Sequence, residues 1–170
     1  MQGLPDPLLG TRLANWGVAV AVALVLVFFP LRYRRSNTAL RIAAASGVLA
    51  AGVGLALWAV PRLASGTFAQ FSWTNPAVAV ALYAVGIVVL AVQVAGPVYG
   101  YLAYGLVSPL AGGVAATTLS TFLHFQLGGE TESFALYVLF SPIVLGAILG
   151  LALLEAGARR FVVPHVGRPD

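Results

Sequence analysis

Long apolar stretches run the length of the chain, each closed by a short polar or proline-bearing break. The first covers about 13–30, with GVAVAVALVLVFF at its centre, and is followed at once by LRYRR. The second covers about 38–60, entered through Ser36 and Asn37, whose side chains can cap a helix, and stopped by Pro61. Asn75-Pro76 reads as an N-cap with proline at the first helical position, and opens a third stretch to about Gly96, giving 76–96. The polar segment QLGGETES precedes a last stretch over about 134–155, and ARRFVVPHVGRPD follows it. Runs near 20 apolar residues are what a helix needs to cross a bilayer core.

Between the third and last stretches the pattern is harder to divide, because no Asp, Glu, Lys or Arg occurs from Leu63 to Gly129. Gly96-Pro97 and the cluster GPVYGYLAYG supply a break, and Tyr99, Tyr101 and Tyr104 suit a headgroup level. A fourth stretch then covers about 101–125, with Pro109 as a kink or a start. The break at 96–105 is either a simple turn or a re-entrant segment, which protein would have to cover. The sequence therefore predicts an all-α integral membrane protein, a bundle of five transmembrane helices in a single domain over 1–170, with no separate soluble domain.

Charge orients this bundle. With five spans the two ends lie on opposite sides. A cytoplasmic C-terminus and an outside N-terminus put Arg32, Arg34, Arg35, Arg41, Arg159, Arg160 and Arg168 inside, and only Arg12 and Arg62 outside. The reverse arrangement would translocate seven arginines, against the positive-inside rule. The expected location is the cell membrane, as a multi-pass protein. The first stretch is expected to stay attached as a span and not to act as a removable leader, since its positive charges follow the apolar run and no A-x-A-like site intervenes.

Composition sharpens the class by exclusion. Only 8% of the 170 residues are charged, against roughly a quarter in soluble domains, and mean hydropathy is +0.95. With no cysteine there is no disulfide, thiolate nucleophile or Cys-type metal site. All nine basic residues are arginine, so Schiff-base chemistry and a P-loop lysine are excluded as well. The net charge of +4 reflects cytoplasmic loops and not a nucleic-acid surface, because no basic soluble domain exists to present a groove.

The candidate chemistry lies in TTLSTFLHF. At 3.6 residues per turn Thr117, Ser120, Thr121 and His124 share one stripe, which must face protein or a cavity because hydroxyls and imidazole find no partner in hydrocarbon. Gln93 is the only amide of the third stretch and is expected to bond either to the tyrosine-rich turn or to the fourth helix. Ser120 and His124 are poorly placed for a nucleophile–base pair, with no third orienting group. His124 and His165 fall on opposite sides, and His124 with Glu130 and Glu132 lacks ligand spacing, so no metal or other cofactor is expected. For helix packing the candidates are Gly146 and Gly150, a G-x-x-x-G pair, and the small-residue ridge Ser46, Ala50 and Gly54. Glu155 and Arg159 are spaced as an i,i+4 pair at the inner boundary.

Together these features predict a small membrane protein without a catalytic site, an accessory or assembly subunit that packs against other membrane subunits or itself. The alternative is a small oligomeric transporter or channel for a neutral solute, with the fourth-span stripe lining its path.

Overall fold

In the computed structural model the described residues are 6–33, 38–64, 76–127 and 133–162, and nearly all are helical. The helices are α1 (Arg12–Phe28), extended by a 3-10 turn at Phe29–Tyr33, α2 (Ala39–Ala64), α3 (Pro76–Tyr104), α4 (Ser108–His124) and α5 (Ser133–Val162). Two short strands, β1 (Asp6–Pro7) and β2 (Gln126–Leu127), pair antiparallel, Asp6 with Leu127 and Pro7 with Gln126. Among the described residues four segments are long and apolar enough to cross a membrane: Arg12–Arg32, Ala39–Leu63, Val80–Tyr104 and Phe134–Phe161. With 17 residues, and so about 26 Å of rise, α4 is shorter than these. The expected caps Ser36, Asn37 and Asn75, and the acidic loop with Glu130 and Glu132, lie outside the described residues, as does His165.

Four expected boundaries move, and the last is the end of α5, which runs on to Val162, seven residues past the expected 155. The break predicted at 96–105 is helical, and α3 runs unbroken through Gly96-Pro97 and the tyrosine cluster to Tyr104. What ends it is Gly105, at φ +70, a left-handed conformation that costs glycine little. Its N–H donates to the Tyr101 carbonyl, and the Leu106 N–H reaches back to Gly100. The turn is thus at 105–107, and the fourth helix begins at Ser108 instead of 101, with Pro109 in its first turn. Pro61 does not stop α2, which continues to Ala64. Prolines are tolerated in such helices when neighbours take over the freed backbone groups. Pro142 in α5 illustrates this: it cannot donate to Val138 O, and the Ser141 hydroxyl does so instead at 2.6 Å.

Close approach explains the packing of α2 on α3. A Cβ at Gly47 would lie 2.6 Å from the Ala91 carbonyl oxygen and 2.9 Å from the Ala95 methyl, so only glycine fits. On the other side of α3, Pro97 packs on Gly113 of α4, where a Cβ would sit 2.9 Å from the proline Cγ. Between these contacts one apolar cluster joins Leu26, Val27, Ala43, Ala50, Val94, Val98 and Leu110, and a second joins Ala51, Trp58, Val89, Leu90, Phe134 and Tyr137. Central among the helices is α4, which touches α1, α2, α3 and α5.

Each end of α4 is fastened by a distant residue. At its C-terminus the Phe125 carbonyl accepts the buried Asn15 amide at 3.1 Å and the Leu8 N–H at 3.0 Å, while Asn15 Oδ1 accepts Leu9 N–H. Trp16 stacks on Phe122 beside it, centroids 4.1 Å apart. At its N-terminus no local side chain caps the helix. Glu155 of α5 supplies that cap, accepting from Val107 N–H at 3.0 Å, Ser108 N–H at 2.6 Å and the Ser108 hydroxyl. Arg159 bonds Glu155 and the Gly105 carbonyl, so the expected i,i+4 pair is one part of a larger clamp.

Gly47→Ala is expected to destabilise the bundle by about 1–3 kcal/mol through overpacking. Gly52→Ala, whose methyl would meet nothing within 4 Å, should leave stability unchanged or raise it. Thermal unfolding of the two variants in one detergent checks the contrast. Glu155→Gln should release the first turn of α4, seen as faster amide exchange at Val107 and Ser108. Arg159→Gln, which leaves both amides capped, should speed them less.

Candidate functional site

The site is built where α3, α4 and α5 meet. Nine of the seventeen residues of α4 are buried, including Thr117, Ser120, Thr121 and His124 of the expected stripe and also Thr118. Gln93, 1% exposed, faces them from α3. Its Nε2 donates to Thr117 Oγ1 at 3.2 Å and to Ser120 Oγ at 3.3 Å, and its Oε1 accepts from the Tyr137 hydroxyl of α5 at 2.8 Å. Both amide hydrogens and the carbonyl oxygen are thereby engaged across three helices. Of the two expected directions for Gln93, the structure shows the one toward the fourth helix, and Tyr137 is a partner that the sequence reading did not name.

Beside this amide lies a cavity of about 10 Å3, bordered by Gln93, Thr117, Ser120 and Thr121 together with apolar side chains of α1 and α2. That is room for one water with polar partners around it. The hydroxyl of Ser120 donates to the Thr117 carbonyl at 3.1 Å, so its proton points back along the helix instead of toward His124.

One turn on, His124 is fully buried and neither ring nitrogen has a hydrogen-bond partner. Its ring lies 5.9 Å from Phe134, nearly parallel, and 5.8 Å from Tyr137, edge to face. Phe134, Trp58 and Tyr83 form a tilted triad beside it, with centroids 5.2–5.4 Å apart. Arg62, expected in an outer loop, is instead 7% exposed within α2. Its guanidinium lies over the Trp58 ring at 5.1 Å and donates to the carbonyls of Trp58 at 2.9 Å and His124 at 3.3 Å. The imidazole is thus held as one face of an aromatic box, with a cation bonded to its backbone.

Among the described residues no group of three His, Cys, Asp or Glu is placed to hold a metal. The packing candidates divide between inside and outside. Ser46, Ala50 and Gly54 are buried on α2, with Leu90 Cδ1 3.1 Å from where a Gly54 Cβ would be, and Ser46 back-bonds to Ile42 O at 2.7 Å. Gly146 and Gly150 meet nothing within 4 Å and open away from the bundle. The internal close approaches fall to Gly47, Gly86 and Gly113 instead. Asn15 was a legible signal left unused: like Gln93, it is the one amide of its apolar helix.

The fold and site define a helical bundle with, among the described residues, four helices long and apolar enough to cross a membrane and a hydrogen-bonded polar interior. Compared with known proteins, the chain matches no family model, no curated protein and no solved structure.

Gln93→Leu is expected to cost about 1–2 kcal/mol, because it strands the Tyr137 hydroxyl and unties Thr117 and Ser120. Tyr137→Phe should cost about 0.6 kcal/mol, the usual size of one interhelical hydrogen bond in a membrane bundle. If the two share one interaction, the double variant loses less than the sum of the singles. Unfolding of the three variants in mixed micelles measures this.

Proposed function

We propose that the chain is a non-catalytic membrane protein, an accessory or assembly subunit that packs its helices against a neighbouring membrane chain or a second copy of itself. In this reading all five helices cross the cell membrane, with the N-terminus outside and the C-terminus cytoplasmic. The 17 residues of α4 meet the lower limit for a span, and its neighbours on four sides shelter its polar stripe. Arg32, Arg41, Arg159 and Arg160 gather at one end of the bundle, which favours that end as cytoplasmic.

The observation that carries the reading is the engagement of Gln93. Gln93, Thr117, Ser120 and Tyr137, side chains that would border a solute path, are bonded to one another, and the space beside them is about 10 Å3. The contact face is then on the outside. Only 17% of the apolar window of α5 is buried, against a third or more in the other three. That helix presents Leu139, Phe140, Ile143, Gly146 and Gly150 outward, a surface of small and branched residues suited to close helix–helix approach.

Because the chain lacks cysteine, single cysteines test this directly. A membrane-impermeant maleimide applied to intact cells is expected to label Gln2→Cys and spare Asp170→Cys. In native membranes Ala147→Cys, on the open face of α5, should cross-link to a band of defined mass, and Ala45→Cys on α2 should not. A chain that stays solitary at both positions overturns the proposal. So do reconstituted vesicles that pass a neutral solute and lose that flux with His124→Ala.

A further inference from the structure

A groove of about 290 Å3 lies between α3 and α5, with Pro109 of α4 at its base. Its α3 wall includes Gly96, Pro97 and Gly100, and its α5 wall Leu145, Leu149 and Ala152. The groove exists because two residues of its α3 wall, Gly96 and Gly100, have no side chain. A Cβ at Gly96 would meet nothing within 4 Å, and one at Gly100 would only just reach Leu106 and Pro109 at 4.0 Å. Every residue bordering it is apolar, glycine or proline, so water in it would find no partner. It opens on segments that have the length and composition of membrane spans, where the surrounding medium is acyl chain.

The groove also has a charged end. Leu149 and Arg160 are eleven residues apart on α5, close to three turns, so they share a face, about 16 Å apart along the axis. Ala152 and Arg159 are related in the same way over two turns. Both arginines are exposed. Arg159 is committed to Glu155 and the Gly105 carbonyl, and Glu155, the one described carboxylate at this end, is engaged by Arg159 and the α4 N-terminus. That leaves the charge of Arg160 unopposed among the described residues. A parallel second copy laid on this face would set its own Arg159 and Arg160 against these, like charge on like. An anion with a hydrocarbon tail meets no such conflict.

We propose that the α3–α5 groove is a binding site for an anionic phospholipid, its acyl chain against Gly96, Gly100 and Leu149 and its phosphate on Arg160. The site rests on the membrane placement of α3 and α5 and on neither the subunit role nor the orientation, so it can fail or hold independently of them.

The test is native mass spectrometry of the full chain in mild detergent, titrated with phosphatidylglycerol and phosphatidylcholine of matched acyl chains. Wild-type protein is expected to retain phosphatidylglycerol preferentially. Arg160→Gln should lower that preference about five-fold, the worth of one arginine at a lipid surface. Arg41→Gln, an exposed arginine at the same end on α2, should leave it unchanged. Gly96→Leu, which fills the groove, should reduce retention of both lipids while the melting temperature in lipid-free detergent holds. Equal retention of the two lipids by wild type overturns the proposal. An Arg41→Gln loss as large as that of Arg160→Gln also overturns it, since the preference would then belong to the whole charged end. Efficient disulfide formation between copies carrying Leu149→Cys would show that a second chain covers the groove, and overturns it as well.

Discussion

The side-chain amide of Gln93 holds three helices together where almost no water is at hand to replace it. In such surroundings a polar group without a partner costs more than a partnered one gains, so the arrangement is set by what would otherwise be left over. Gln93 has two donors and an acceptor to satisfy, and α4 and α5 divide them. That division fixes the rotation of α4, because Thr117 and Ser120 must both point at α3. It fixes the height of α5 too, since the Tyr137 hydroxyl has to reach the same amide. The apolar clusters on either side then fill the space that remains, and they would tolerate more than one arrangement without it.

The same accounting of backbone groups runs through the ends of the helices. The last carbonyls of α4 are met by Asn15 and Arg62, and its first N–H groups by Glu155, none of them adjacent in sequence. Helix ends leave such groups unpaired by construction, and a short helix has proportionately more of them. For α4, the shortest of the five with α1, distant caps therefore matter as much as its side-chain packing. They also tie the first helix and the last one to the middle of the bundle, so that elements far apart in the chain are held at both ends of one rod.

Much of this was legible in the pattern of residues, and the exceptions have physical causes. Apolar length located the four long helices, and helical spacing placed Thr117, Ser120, Thr121 and His124 on one buried stripe. The break near Gly96-Pro97 was misplaced because glycine and proline punctuate soluble chains, whereas in a bundle of this kind a close-packed neighbour such as Gly113 accommodates Pro97. The real stop, Gly105, needed a left-handed backbone that nothing in its immediate neighbours announces. Arg62 was assigned to a loop because Pro61 before it was read as the stop of the second stretch. Its burial depends on the Trp58 ring beneath it and the carbonyl of His124, the second of which only tertiary structure brings near. Tyr137 carried no signal in the pattern, since its partner lies forty-four residues earlier.

Hydropathy and burial run in opposite directions here. The polar-striped α4 sits at the centre, while α5, with the most apolar window, is the least covered. Water would enforce the reverse order, since it drives apolar surface inward. In hydrocarbon that drive is gone, and hydrogen bonds and close packing decide which helix is enclosed. Thr117 and Ser120 of α4 are then explained by their own partners, while the ring of His124, buried with no hydrogen bond to either nitrogen, is held by its aromatic neighbours. What the bundle leaves unexplained is its surface. Gly146 and Gly150 contribute nothing to internal packing yet hold one face of α5 free of side chains, and Gly96 and Gly100 do the same on α3. Glycine inside a helix lowers its stability relative to alanine, so the outward-facing ones, Gly17 and Gly52 of α1 and α2 among them, carry a cost that no internal contact offsets. The proposed contact role accounts for that cost, and of the candidate spans α5 has the least covered face to offer it.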